Sequence, residues 1–170
     1  MPIRRTIGTA QHGKQPLLSA DIRRIVAARR EDLLGFRDAA LVLAGLAGGF
    51  RRSELAGIHL CDLKFSADGV VVSVRKSKTD QEGAGREVGL PFGASQDACP
   101  VRSLRAWLDA AGITDGPVFR SVARYGHVAR RGLHKDSIGK LLKRAAGRAG
   151  LKVEELGGHS LRLAASPRRR

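Results

Sequence analysis

"GGFRRSELAGIHLCDL", residues 48–63, is the stretch on which the fold turns. Its two glycines follow a long apolar run and close a helix, because glycine enters the left-handed conformation that ends one without a Cβ penalty. Phe50 and two arginines come next. Ser53 then opens a short second helix in which Glu54 stands one turn beyond Arg51. An R-x-x-E pair alone is most often a solvated salt pair on a helix surface. Tandem arginines directly after an apolar GGF turn do not fit that reading.

Working outward, "FRDAALVLAGLAGG" (36–49) predicts a helix buried on most sides. Before it, "SADIRRIVAARR" (19–30) predicts a helix capped by Ser19, with Ile22, Ile25 and Val26 on one face, and residues 1–18 read as an extended arm. After the opening stretch the period changes. "VVVSVRKS" (70–77) and "REVGLPF" (86–92) are β-rich runs around the polar, glycine-containing "KTDQEGAG". They predict a hairpin, with "HLCDLKF" as a candidate third strand and its turn at Ala67-Asp68-Gly69. "CPVRSLRAWLDAAG" predicts a helix with Pro100 in its first turn and Trp107 and Leu108 facing inward. "GPVFRSV" reads as a short strand or loop, and "ARYGHVARRGLHK" as a basic connector. "DSIGKLLKRAAGRA" (136–149) predicts an amphipathic helix capped by Asp136 or Ser137, with Lys140, Lys143, Arg144 and Arg148 on its polar side. The fold class is α+β, mainly α, with a small antiparallel sheet inserted among helices.

The 170 residues carry 31 Lys+Arg against 16 Asp+Glu, a formal net charge of +15, which makes a polyanion the first partner to consider and nucleic acid foremost. No apolar run approaches the roughly 18 residues of a membrane span, and the N-terminus lacks a signal-peptide core, so the expected location is cytoplasmic. Cys61 and Cys99 form no CxxC pattern and read as small hydrophobes in a reducing compartment. His12, His59, His127, His134 and His159 form no HxxxH or HExxH pair, so neither metal nor another cofactor is expected. Aromatic content of 4 % argues against base-stacking recognition of RNA.

Three stretches together carry a resemblance. "GGFRRSELAGIHLCDL" resembles the first conserved box of the tyrosine recombinase (phage integrase) family, "VRKSKTD" (74–80) its β-hairpin lysine segment, and "GGHSLR" (157–162) its second box, histidine-x-x-arginine. Their order and spacing fit the family's catalytic domain over residues 19–163, leaving 164–170 as an atypical basic tail. The resemblance implies double-stranded DNA as substrate and strand cleavage through a 3′-phosphotyrosyl link. Bond energy is conserved in that link, so neither ATP nor metal is needed. Arg51 and Arg162 would clamp the phosphate, for which a planar guanidinium that never loses its charge is suited. Lys78 would protonate the leaving 5′-oxygen, with Lys76 an equal candidate by spacing. His159 would accept or share a proton, and Glu54 would be the supporting carboxylate.

The family continues beyond its second box to a further histidine or tryptophan and then the nucleophilic tyrosine, whereas this sequence reads "LAASPRRR" after Arg162. Its one tyrosine, Tyr125, precedes the second box in a predicted loop and reads as a surface or DNA-contacting aromatic. The expectation is a truncated catalytic domain that binds DNA without cleaving it. The alternative is a non-catalytic DNA-binding or regulatory module, with a full-length recombinase as a candidate second partner. A stable tetramer is not expected, since the family assembles by passing C-terminal segments between neighbours.

Overall fold

The computed structural model describes residues 19–75 and 85–152. Along the chain they form α1 (Ser19–Ala27), α2 (Leu33–Gly48), α3 (Arg52–Gly57), β1 (Leu63–Phe65), β2 (Gly69–Val74) and β3 (Arg86–Pro91). Then come α4 (Pro100–Ala110), β4 (Arg120–Val122), β5 (Val128–Gly132) and α5 (Lys135–Arg148). The mainly helical α+β class expected from sequence is the one found.

α2 is the central helix. Residues 37–46 are buried throughout, and α1, α3, α4, α5 and β3 all pack on it. It starts three residues before the expected stretch because Asp32 caps it, its carboxylate accepting the Gly35 N–H at 3.0 Å. Its end is a Schellman motif: the N–H groups of Gly49 and Phe50 donate to the carbonyls of Leu46 and Gly45, with Gly49 left-handed at φ 59°. That turn drives Phe50 into the core beside Leu55, Trp107 and Phe119. A Cβ at Gly48 would run into the Phe50 ring, so both glycines of the opening stretch have a steric reason.

The expected hairpin is present, and β1 is its third strand, giving the antiparallel order β1-β2-β3. Val70, Val72 and Val74 alternate into the core, and Val74 stands opposite Arg86 at the end leading into residues 76–84. Trp107 and Leu108 of α4 are buried as expected, and the Trp107 indole N–H donates to the Val118 carbonyl at 2.9 Å.

Four expectations are corrected. The basic connector is not a connector: β4 and β5 pair as a second antiparallel hairpin, Arg120 opposite Gly132. α5 is capped by His134, whose carbonyl takes the first helical N–H groups and whose Nδ1 accepts from the Asp136 backbone, so Asp136 and Ser137 already lie inside the helix. Arg148 is not simply on a polar face; it reaches back to the buried Asp38 carboxylate at 3.0 Å, where Arg37 also donates at 2.8 Å. Cys99 is a small buried thiol, but Cys61 is exposed and touches the Arg75 guanidinium at 3.2 Å.

Candidate functional site

The site is assembled at the junction of α2 and α3. Once the Schellman turn has buried Phe50, Arg51 follows in extended geometry (φ −73°, ψ 153°) as the residue preceding the first turn of α3. Glu54, one turn on, folds back so that its Oε2 accepts the Arg51 backbone N–H at 2.7 Å. This is one half of a capping box, and it satisfies a donor that a six-residue helix cannot satisfy itself. The same carboxylate meets Arg51 Nη1 at 3.5 Å and Arg86 Nη2 at 3.0 Å.

Exposure separates the roles of the group. The Glu54 side chain is 8 % exposed, whereas Arg51 is 51 % exposed. A buried carboxylate therefore holds a half-exposed guanidinium from one side, and among the described residues its other donors are left for a ligand. Arg86 completes the arrangement, lying over the Phe50 ring at 5.7 Å while it binds Glu54. Sequence reasoning missed Arg86. It is 32 residues from Glu54, and only the cross-strand register, opposite Val74, would have pointed to it.

Both ends of the 76–84 segment are tied down beside this group. Arg75, at its start, binds Asp62 Oδ1 at 2.9 Å, and that hydrogen bond together with the carboxylate charge holds the Arg75 guanidinium above its ordinary pKa. Asp62 is itself oriented by accepting the His59 N–H at 2.8 Å. Arg86 anchors the other end. Between the two walls, Ser53, Glu54 and Gly57 of α3 face Ser73, Val74 and Arg75 across a cleft of about 330 Å³. Arg52 lies across Gly139 of α5, where a Cβ would sit 2.8 Å from Nη1, so α3 and α5 are locked together under the site.

Of the residues singled out from sequence, Arg51 and Glu54 are thus brought together. Lys78, its alternative Lys76, His159 and Arg162 lie outside the described residues. The other basic residues separate into two kinds. Arg24 donates to the Ala149 carbonyl at the C-terminus of α5 and Arg148 pairs with Asp38, so both hold the fold. Arg23, Arg124, Arg130, Arg131, Lys143 and Arg144 are exposed. Tyr125 sits at the other end of α2 from Arg51: a Cβ added at its neighbour Gly126 would lie 3.5 Å from Leu33, the first residue of that helix. At 1.5 Å per residue, the 16 residues of α2 that lie between them span about 24 Å. Among the described residues no cluster of three or more His, Cys, Asp or Glu could hold a metal, and no helix is long and apolar enough to cross a membrane.

The chain is similar to known proteins along nearly its whole length. The phage integrase family model matches residues 15–168. An integrase/recombinase xerD homolog from Selenomonas ruminantium is 40 % identical over 161 residues, which is 94 % of this chain and 47 % of that protein. Among solved structures, XerA recombinase superposes with a TM-score of 0.67 at 21 % identity, over 97 % of this chain and 51 % of that one. A lambda integrase tetramer bound to a Holliday junction superposes with a TM-score of 0.59 at 18 % identity, over 95 % of this chain and 44 % of that one. The chain spans about half the length of the relatives it matches.

Proposed function

This chain belongs to the phage integrase family, and we propose that it forms part of a catalytic domain for site-specific recombination that, as a 170-residue polypeptide, binds duplex DNA without cleaving it. Arg51 donates to the oxygens of one backbone phosphate, and Glu54 orients it. Arg162 supplies the opposing clamp; in an intact enzyme His159 would share a proton with the phosphate or the attacking hydroxyl, and Lys78 or Lys76 would protonate the 5′-oxygen as it leaves. Losing one such oxyanion donor typically costs about 10²- to 10³-fold in rate, which sets the scale for either arginine in an intact enzyme.

The observation that carries the reading is the half-exposed Arg51 guanidinium, fixed from behind by the buried Glu54 carboxylate at the foot of the lysine-bearing hairpin. The expected lack of cleavage rests on Tyr125, the sequence's one tyrosine, being a helix length away from Arg51. A tyrosine must touch the phosphorus it attacks, and this one lies at the far end of α2, a helix about 24 Å long. The xerD homolog and the lambda integrase bound to a Holliday junction support recombination as the parent chemistry.

The test is incubation with nicked suicide duplexes, followed by denaturing electrophoresis. No covalent protein–DNA adduct is expected while native gels show salt-sensitive binding. An adduct abolished by Tyr125→Phe would refute the non-cleaving assignment.

A further inference from the structure

The tip of the second hairpin is built against its own backbone preference. Tyr125 and Gly126 both have positive φ, 64° and 78°, and the Ala123 N–H donates to the His127 carbonyl at 2.8 Å. That pairing closes a three-residue loop, Arg124–Gly126, within which the Gly126 N–H donates to the Ala123 carbonyl at 3.3 Å, so Tyr125 holds the third position of a β-turn, where positive φ favours Gly or Asn. Tyrosine is a poor choice there, because its Cβ is strained at positive φ. Nor does the chain recover the cost: Tyr125 is fully exposed, at 101 % of its reference area. Among the described residues it is the sole non-glycine with positive φ. Backbone strain of this kind, unrewarded inside the molecule, points outward to a contact.

The surroundings say which kind. Arg124 and His127 flank the tip, and Arg130 and Arg131 follow on β5, all exposed and without an ion pair among the described residues. Successive strand residues point to opposite faces, so whichever face of the ribbon meets a partner presents one of these two arginines. β5 leads back into α5, which packs under α3 and carries the exposed Lys140, Lys143 and Arg144. A cationic path thus joins the tip to Arg51. The tip and Arg51 stand at opposite ends of α2, whose length of about 24 Å is the rise of about seven base pairs of duplex at 3.4 Å each.

We propose that the Tyr125 tip is a second DNA-backbone contact, gripping the duplex about seven base pairs from the phosphate held by Arg51. Tyr125 offers its hydroxyl to a phosphate or sugar oxygen, and Arg124 adds charge. The inference rests on the DNA-binding reading of the site, and it adds a separate anchor that fixes the direction of the duplex across the domain.

The test uses Tyr125→Asn, which suits a turn position of positive φ better than the native residue and so avoids an unfolded control. Two loop-closed DNA stems are compared, of about 6 and about 16 base pairs, shorter and longer than the span. The melting temperature of Y125N should stay level or rise by about 2–4 °C. Its affinity for the long stem should fall about 5-fold, while the short stem, too short to reach both points, should bind both proteins alike. Equal affinity of Y125N and the parent chain for the long stem would overturn the proposal. So would an equal loss on both stems, or a change in self-association with DNA affinity intact, which would place a second copy at the tip. If the parent chain bound neither stem, the DNA-binding reading itself would fail and this inference with it.

Discussion

Replacing Glu54 by alanine removes three interactions at once, and the structure allows the consequences to be separated. The first is the capping contact from the Arg51 N–H at 2.7 Å, and loss of such a contact costs about 0.5–2 kcal/mol. The second is the charge-assisted bond to Arg86 at 3.0 Å, worth about 1.5 kcal/mol at the low end because the arginine is 48 % exposed and water replaces part of the loss. The third, Arg51 Nη1 at 3.5 Å, is long and adds little to stability but orients the guanidinium. The sum is about 2–3.5 kcal/mol, or a fall in melting temperature of about 4–14 °C for a chain of this size. Urea unfolding followed by the fluorescence of Trp107, the sole tryptophan, reads the change directly. Glu54→Gln keeps a carbonyl acceptor for the capping contact and should lose only about half as much. A loss below about 0.5 kcal/mol for Glu54→Ala would show that α3 does not depend on this carboxylate, and the account of how Arg51 is positioned would fall.

Asp32 gives a pH-dependent prediction. Burial pulls its carboxyl upward, but the Gly35 N–H, Arg30 and the Leu34 N–H outweigh that and hold it below the ordinary carboxylate range. A depressed native pKa means stability that is present above the unfolded value of about 3.9 and is lost as pH falls through the native value. The advantage of the parent chain over Asp32→Asn in urea should therefore shrink between pH 5 and pH 3, by these reference values about where an ordinary carboxylate titrates; an advantage independent of pH would contradict it. Asp38 is buried between Arg37 and Arg148, so Asp38→Ala strands a buried guanidinium and should cost about 3–5 kcal/mol. Replacing all three by apolar residues of similar size should cost much less; equal losses would refute the stranded-charge explanation.

How much was legible depended on whether the cause was local. α2 could be read because residues 39–46 are buried in succession and leave an apolar run, and its end because Gly48 and Gly49 each answer a steric demand within two residues. The first hairpin could be read because Val70, Val72 and Val74 are β-branched and alternate. The second hairpin could not: "RYGHVARRG" has no apolar alternation, and its turn places Tyr125 at a positive-φ position where Gly or Asn would have announced it. His134 was passed over as a cap because Asp136 and Ser137, commoner caps, follow it within three residues. At the site, the Arg51–Glu54 pair was legible from one helical turn of spacing, whereas the Arg86 and Arg75 anchors depend on strand register. The burial of Arg37 and Asp38 inside α2 had no signal in composition, since its cause is Arg148, 110 residues away.

The most direct test of the central claim is the duplex affinity of Arg51→Ala measured across a salt series, with Arg105→Ala as the control. Arg105 stacks on Phe65 and Phe92 at the opposite end of the first sheet from Arg86, so it removes the same charge elsewhere. If Arg51 clamps a phosphate, its loss removes a charge-assisted contact of about 1.5–3 kcal/mol, weakening binding by about 10- to 100-fold and reducing the salt slope by about one. Arg105→Ala should change affinity by less than about 3-fold. Equal effects of the two substitutions would mean that only net charge holds the DNA, and Arg51 would lose its place as the centre of the site.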